Sequence, residues 1–153
     1  MIIPAGTTAA PRTAWPLSCS MPPMAALLSA PGAARGYTAN ALASWGMSAL
    51  SDLAELVVSE LVTNAVKAST LPAGGPVYVG GRVAVVRLVL LSDGSRLVAE
   101  VYDQAPGAPV IRDPAKDSEG GRGLLVVAQL SRRWGWNPLV GQRGKVVWTE
   151  LSA

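Results

Sequence analysis

The chain has 153 residues, half of them hydrophobic and 15% charged, a length that suits one domain and a composition that excludes both a disordered chain and a solvated coiled coil. With one cysteine and no histidine, there is no internal disulfide, no Ser-His or Cys-His catalysis, and no ordinary zinc or haem ligand set. The net charge of +3 comes from scattered basic residues, which do not make a nucleic-acid face, and no apolar run reaches the roughly 18 residues of a membrane span.

Residues 1–30 are rich in Pro, Ala, Ser and Thr without a sustained period. They read as a flexible leader ahead of a single domain over residues 31–153. Pro4, Pro11, Pro16, Pro22 and Pro23 interrupt any apolar stretch that could act as a secretion signal, so a cytoplasmic protein is expected. Ala33 to Trp45 forms a helix candidate with Tyr37, Ala41 and Trp45 on one face and Gly46 as its stop.

The next stretch, Ser51 to Ser69, organises the rest. Asp52 followed by Glu55 reads as an N-cap with a capping box, and Leu53, Leu56, Val57, Leu61, Ala65 and Ala68 recur at the three- and four-residue spacing of a helix with one apolar face. Set into that helix are Glu60 and Asn64, four apart, so a carboxylate and an amide stack about one turn from each other. Lys67 continues the same side.

Leu71 to Pro76 is a loop by composition. Arg82–Leu91 and Arg96–Asp103 then flank Ser92-Asp93-Gly94-Ser95, the pattern of a β-hairpin with an Asp-Gly turn, and their nearly continuous apolar character predicts central strands buried on both sides. Asp103 stands at the strand's exit. The stretch from Gln104 to Glu119 is too broken by proline and charge for regular structure, and a loop this long in a small domain is usually functional or disordered. It runs into Gly120-Gly121-Arg122-Gly123 and a helix over Leu124–Leu130, which presents free amides and the positive end of a helix dipole. Strands are expected over Arg132–Trp136 and Lys145–Leu151. Arg132-Arg133 beside Trp134 and Trp136 is the one place for a stacking groove, although core and hairpin roles explain those tryptophans more simply.

Three separated pieces therefore ask for one explanation: Glu60 with Asn64 on a helix, Asp103 with Gly107 after a strand, and glycines 121 and 123 before a helix. A nucleotide uses all three, since a carboxylate accepts from a base amino group, an amide oxygen ligates Mg²⁺, and glycine backbone cradles phosphates. A carboxylate at Glu60 is also a candidate general base for attack on a γ-phosphate.

Glu60-Leu-Val-Thr-Asn64-Ala-Val, Asp103-Gln-Ala-Pro-Gly107 and Gly121-Arg-Gly-Leu-Leu125 resemble the N, G1 and G2 boxes of the GHKL ATPase superfamily, most closely its anti-sigma-factor serine kinase branch. The resemblance covers residues 33 to 151. It implies an α+β fold, a two-layer α/β sandwich of the Bergerat type, with a mixed, mostly antiparallel sheet and helices on one face. It also implies ATP and Mg²⁺ as cofactors. Glu60 would be the catalytic base and Asn64 the metal ligand, with Asp103 reading adenine. Gly107, Gly121 and Gly123 would give the backbone room to approach the nucleotide, beside Lys67 and Leu124. Residues 108–119 look like the lid, which makes Arg112, Lys116 and Arg122 candidate phosphate contacts.

The partners implied are a sigma factor or a small antagonist protein phosphorylated on serine. No direct nucleic-acid or membrane partner is expected, and relatives of this kind often form homodimers. Two departures stand out: Ala105 replaces the first glycine of the common D-x-G-x-G pattern, and Gly144-Lys145-Val146-Val147 stands where relatives often carry a threonine near the adenine-reading carboxylate. A second reading is therefore a nucleotide-gated binding module that phosphorylates nothing. Glu60 favours the kinase and the altered G1 box favours the module.

Overall fold

The most apolar part of the chain becomes the middle of the sheet. The computed structural model describes residues 14–109 and 123–153. Its strands are β1 (Leu17–Ser20), β2 (Met24–Ala25), β3 (Tyr78–Val79), β4 (Arg82–Val83), β5 (Val85–Ser92), β6 (Arg96–Asp103), β7 (Arg133–Pro138) and β8 (Lys145–Ser152), and its helices are α1 (Ala30–Ser44), α2 (Ser51–Ala68) and α3 (Gly123–Leu130). The main sheet has the order β1-β5-β6-β8-β7, with β2 also on β5, and every pairing in it is antiparallel.

The β5–β6 hairpin closes where the sequence predicts. Asp93 Oδ1 accepts from the Ser95 and Arg96 amides at 2.9 and 2.8 Å, and Gly94 takes the left-handed conformation at φ 96°. Those amides, with the Arg96 side chain beside them, hold the Asp93 carboxyl well below the usual carboxylate range. The first strand is shorter than expected at its start, because the chain breaks direction at Ala84. The Ala84 amide donates to Val77 O and its carbonyl accepts from Ala26. Arg82 and Val83 are thereby diverted into a separate hairpin with Tyr78 and Val79, turned by Gly80 and Gly81 at φ 58° and 79°.

Alternation along the strands decides what faces the helices. Val86, Leu88 and Leu90 of β5, Leu97, Ala99 and Val101 of β6, and Val147 and Leu151 of β8 share one core with the helices. On α2, Ala54, Val57, Val58, Leu61, Val62, Ala65 and Val66 are buried, and each fully buried Val or Leu contributes about 1.5–3 kcal/mol of transfer free energy. This face is rotated from the predicted one: Leu56 is 45% exposed and Ala68 is also at the surface. The reason is that α2 packs against α1, α3 and the sheet together, so its buried arc is wider and differently centred than a one-sided stripe.

The capping box is not formed. A 3-10 turn over Ser48–Leu50 runs straight into α2, which leaves Asp52 inside the first turn, and Ser51 Oγ donates to Glu55 Oε2 at 2.8 Å. In α1 the face against the core is Ala30, Ala34, Thr38 and Leu42. Tyr37, Ala41 and Trp45 form its half-buried shoulder, because small side chains permit the closest approach of two helices. Gly46, at φ 68°, ends that helix as expected.

Part of the segment read as a leader is folded. Trp15 is 2% exposed and packs with Val89, Leu91 and Val98 on the sheet face away from the helices, while β1 and β2 extend the edge along β5. Prolines at residues 16, 22 and 23 bracket these short pieces rather than prevent them, as edge strands allow. Residues 1–13 lie outside the described residues. On the same outer face Glu150, 2% exposed, accepts from Arg133 at 2.6 Å and Arg96 at 3.3 Å. Trp136 is buried in the core with Trp134 packed against it, so the residues considered for a stacking groove are used internally. No helix among the described residues is long and apolar enough to cross a membrane.

Candidate functional site

Helix α2 crosses the sheet with its buried arc inward and carries Glu60 and Asn64 at the margin, both half-buried. The start of α3 lies against Glu60: a Cβ added to Gly123 would stand 2.8 Å from Glu60 Oε2. The first turn of α3 and the carboxylate are therefore neighbours, as the sequence implied for the second glycine box and the candidate base. Leu124 is 3% exposed and belongs to the core, so only its backbone is left for a ligand. Gly107 takes φ 85°, the left-handed region that favours glycine. Arg112, Lys116, Gly121 and Arg122, together with most of the expected lid, lie outside the described residues.

Asp103 ends β6 on the helix-facing side and is paired in register with Lys145, the first residue of β8. Both are 3% exposed. Lys145 Nζ donates to Asp103 Oδ1 at 3.0 Å, and the Ala105 amide donates to the same oxygen at 2.9 Å. The ammonium also approaches Ala105 O at 3.4 Å. Burial pushes the Asp103 carboxyl above its ordinary value, against the downward pull of the Lys145 ammonium and the Ala105 amide. Gln104 turns away and accepts from the Val85 amide at 2.9 Å.

Between α2 and the chain after β6 lies an open cavity of about 390 Å³, lined by Asn64, Lys67, Ala105, Pro106 and Lys145 among others. Asn64 and Lys67 thus share a hollow, as their common helix face predicts. Lys145 lines it too, and Asp103 does not. Lys145 is the cavity-lining residue that the sequence reading did not single out. Its one signal was the missing threonine, and nothing local says that the lysine is buried on Asp103.

Gly144, one residue before Lys145, keeps the two strand ends this close. It has φ 119°, and a Cβ there would lie 2.1 Å from the Asp103 carbonyl oxygen and 3.0 Å from Gln104 Cα. Neither neighbour is a flexible side-chain end. Gly144→Ala should therefore destabilise the fold by about 3 kcal/mol, measured by urea unfolding.

The model of one family, the histidine kinase-like ATPase domain, matches residues 24–150. The chain belongs to that family. No curated protein matches it. For a histidine kinase-like ATPase domain the arrangement is coherent: an α/β sandwich with an antiparallel sheet, a cavity beside Asn64 and Lys67 of α2, and the glycine that opens α3 against Glu60 one turn earlier on that helix. The match also begins at residue 24, within the segment first read as leader. Family membership implies nucleotide use.

Proposed function

We propose that this ATPase domain is a regulatory protein kinase of the anti-sigma type. It would transfer the γ-phosphoryl group of Mg-ATP to a serine of a small antagonist protein and sequester a sigma factor in another state. The observation that supports it is the placement of Glu60, whose carboxylate sits at the start of α3 and one helical turn from Asn64 on the cavity wall. Binding alone has no need of a base there. Glu60 would accept the proton of the serine hydroxyl as its oxygen bonds to the γ-phosphorus and ADP departs.

A magnesium ion would be held by the Asn64 amide oxygen and mainly by the phosphates, where it would neutralise developing charge. Lys67, on the cavity wall, is the candidate cation toward the phosphates, since the Lys145 ammonium is paired with Asp103. A cytoplasmic location and a homodimer accompany this reading. The second reading, a nucleotide-gated binding module, is favoured by Ala105 in the first glycine position and by the engagement of Asp103 with Lys145.

Incubation with γ-labelled ATP and a candidate antagonist separates the two, since label on the antagonist's serine fits the kinase alone. Asn64→Ala tests the ion. Saturating Mg-ATP at about a hundred times its dissociation constant should stabilise the native chain by about 2.7 kcal/mol. In the variant most of that stabilisation should vanish, while the ligand-free melting temperature stays nearly unchanged because the side chain is half-exposed. Equal losses in both would count against the assignment.

A further inference from the structure

At one end of the outer sheet face Arg96, Arg132 and Arg133 converge on the Glu150 carboxylate. The opposite end is different. Arg87 of β5 and Arg143, in the turn between β7 and β8, are both exposed, and neither forms an ion pair with another described residue. They border one open cavity of about 220 Å³, together with Val85, Tyr102, Gln104 and Leu139. Asp103 borders it as well, but its charge is matched by the Lys145 ammonium at 3.0 Å.

Arg87 is held in place. Its guanidinium lies 4.7 Å from the centroid of the Tyr102 ring, its register partner on β6, and the Tyr102 hydroxyl donates to Glu100 Oε1 at 3.2 Å. Stacking covers the flat face of the guanidinium and leaves its N–H edge for a planar acceptor such as a carboxylate. Gln104 uses its carbonyl oxygen to accept from the Val85 amide at 2.9 Å, so its amino group is the part left to offer. The polar groups of this wall are therefore donors, and Val85 and Leu139 stand beside them. A glutamate side chain, with an apolar stem and an acceptor head, is complementary to both. A nucleic-acid strand finds no stacking platform here, because Arg87 already covers the Tyr102 ring.

We infer that this cavity is a docking site for an acidic segment of a partner protein, with a glutamate of that segment taken up between Arg87 and Arg143. It shares no lining residue with the cavity beside Asn64, so the inference stands apart from the kinase reading.

The test is fluorescence anisotropy of a short labelled glutamate-rich peptide on the full chain, beside the same peptide with glutamine in place of every glutamate. The glutamate peptide should bind at least about tenfold tighter, the size of one charge-assisted hydrogen bond, and added salt should weaken it. Arg87→Gln with Arg143→Gln should abolish that preference. Arg87→Lys with Arg143→Lys should restore it only in part, because an ammonium keeps the charge without the fork. Both positions are exposed, so these variants should melt with the native chain. No binding of the glutamate peptide, or equal binding of the two peptides, overturns the inference. So does a preference that survives the two glutamine substitutions. Tighter binding of an oligothymidine would mark a nucleic-acid face and overturn it as well.

Discussion

On the kinase reading proposed above, Glu60→Ala should lower label transfer from ATP to a candidate antagonist's serine by about 10²–10⁴-fold, the usual contribution of a positioned general base, while nucleotide-dependent thermal stabilisation survives. The split between the two readouts carries the meaning. Glu60 is half-buried at the edge of α2, outside the apolar arc formed by Val57, Val58, Leu61 and Val62, so its removal costs the core little. Its carboxylate rests against Gly123 rather than forming an ion pair recorded among the described residues. Single-turnover labelling with the native and variant proteins at matched nucleotide occupancy measures the first quantity, and a melting curve with and without nucleotide measures the second. Transfer that persists in the variant would remove Glu60 from the chemistry. Loss of nucleotide binding along with transfer would make it a binding residue instead.

Lys145→Met should destabilise the fold by about 3 kcal/mol near neutral pH. Removing one partner of a buried pair leaves the other charge uncompensated, and Asp103 is only 3% exposed. The carboxyl, already raised by burial, loses the ammonium's downward pull and rises further. A carboxyl whose folded pKa lies above its unfolded value favours folding below the unfolded pKa, and that contribution is lost as pH rises through the folded pKa. The stability gap between native and variant should therefore narrow as the pH is lowered, read by urea unfolding at a series of pH values. Adding Asp103→Asn to Lys145→Met should recover at least half of the loss, because no charge is then left buried. A variant as stable as the native chain at neutral pH would show that the pair contributes nothing.

The central helix, the Asp93-Gly94 hairpin, the short α3 after a glycine and both C-terminal strands were legible in the residues, since periodicity and turn chemistry act over a few positions. The superfamily was legible too, because Glu60 with Asn64, Asp103 with Gly107, and Gly121 with Gly123 are short patterns in a fixed order. Errors arose where packing from several sides overrode a local rule. Leu56 and Ala68 have the spacing of core residues, yet a helix touched by three neighbours buries a different arc. Asp52 has the form of a cap, yet the preceding 3-10 turn runs straight into the helix and leaves Asp52 inside its first turn. Trp15 and the strands at Leu17–Ser20 and Met24–Ala25 lie in a stretch whose composition resembles a tail, and they are held by β5, more than 60 residues away in sequence.

By itself the sequence determined that this chain forms a sandwich of helices on an antiparallel sheet, with the polar residues expected of a nucleotide site in the family's order. Only the tertiary structure decided that Lys145 meets Asp103, that Gly123 meets Glu60, and that Gly144 has no space for a side chain. Helix phase and turn type are set by neighbours along the chain. Which two strand ends stand opposite each other depends on a register fixed by the whole packed core, and no short window of residues contains that information.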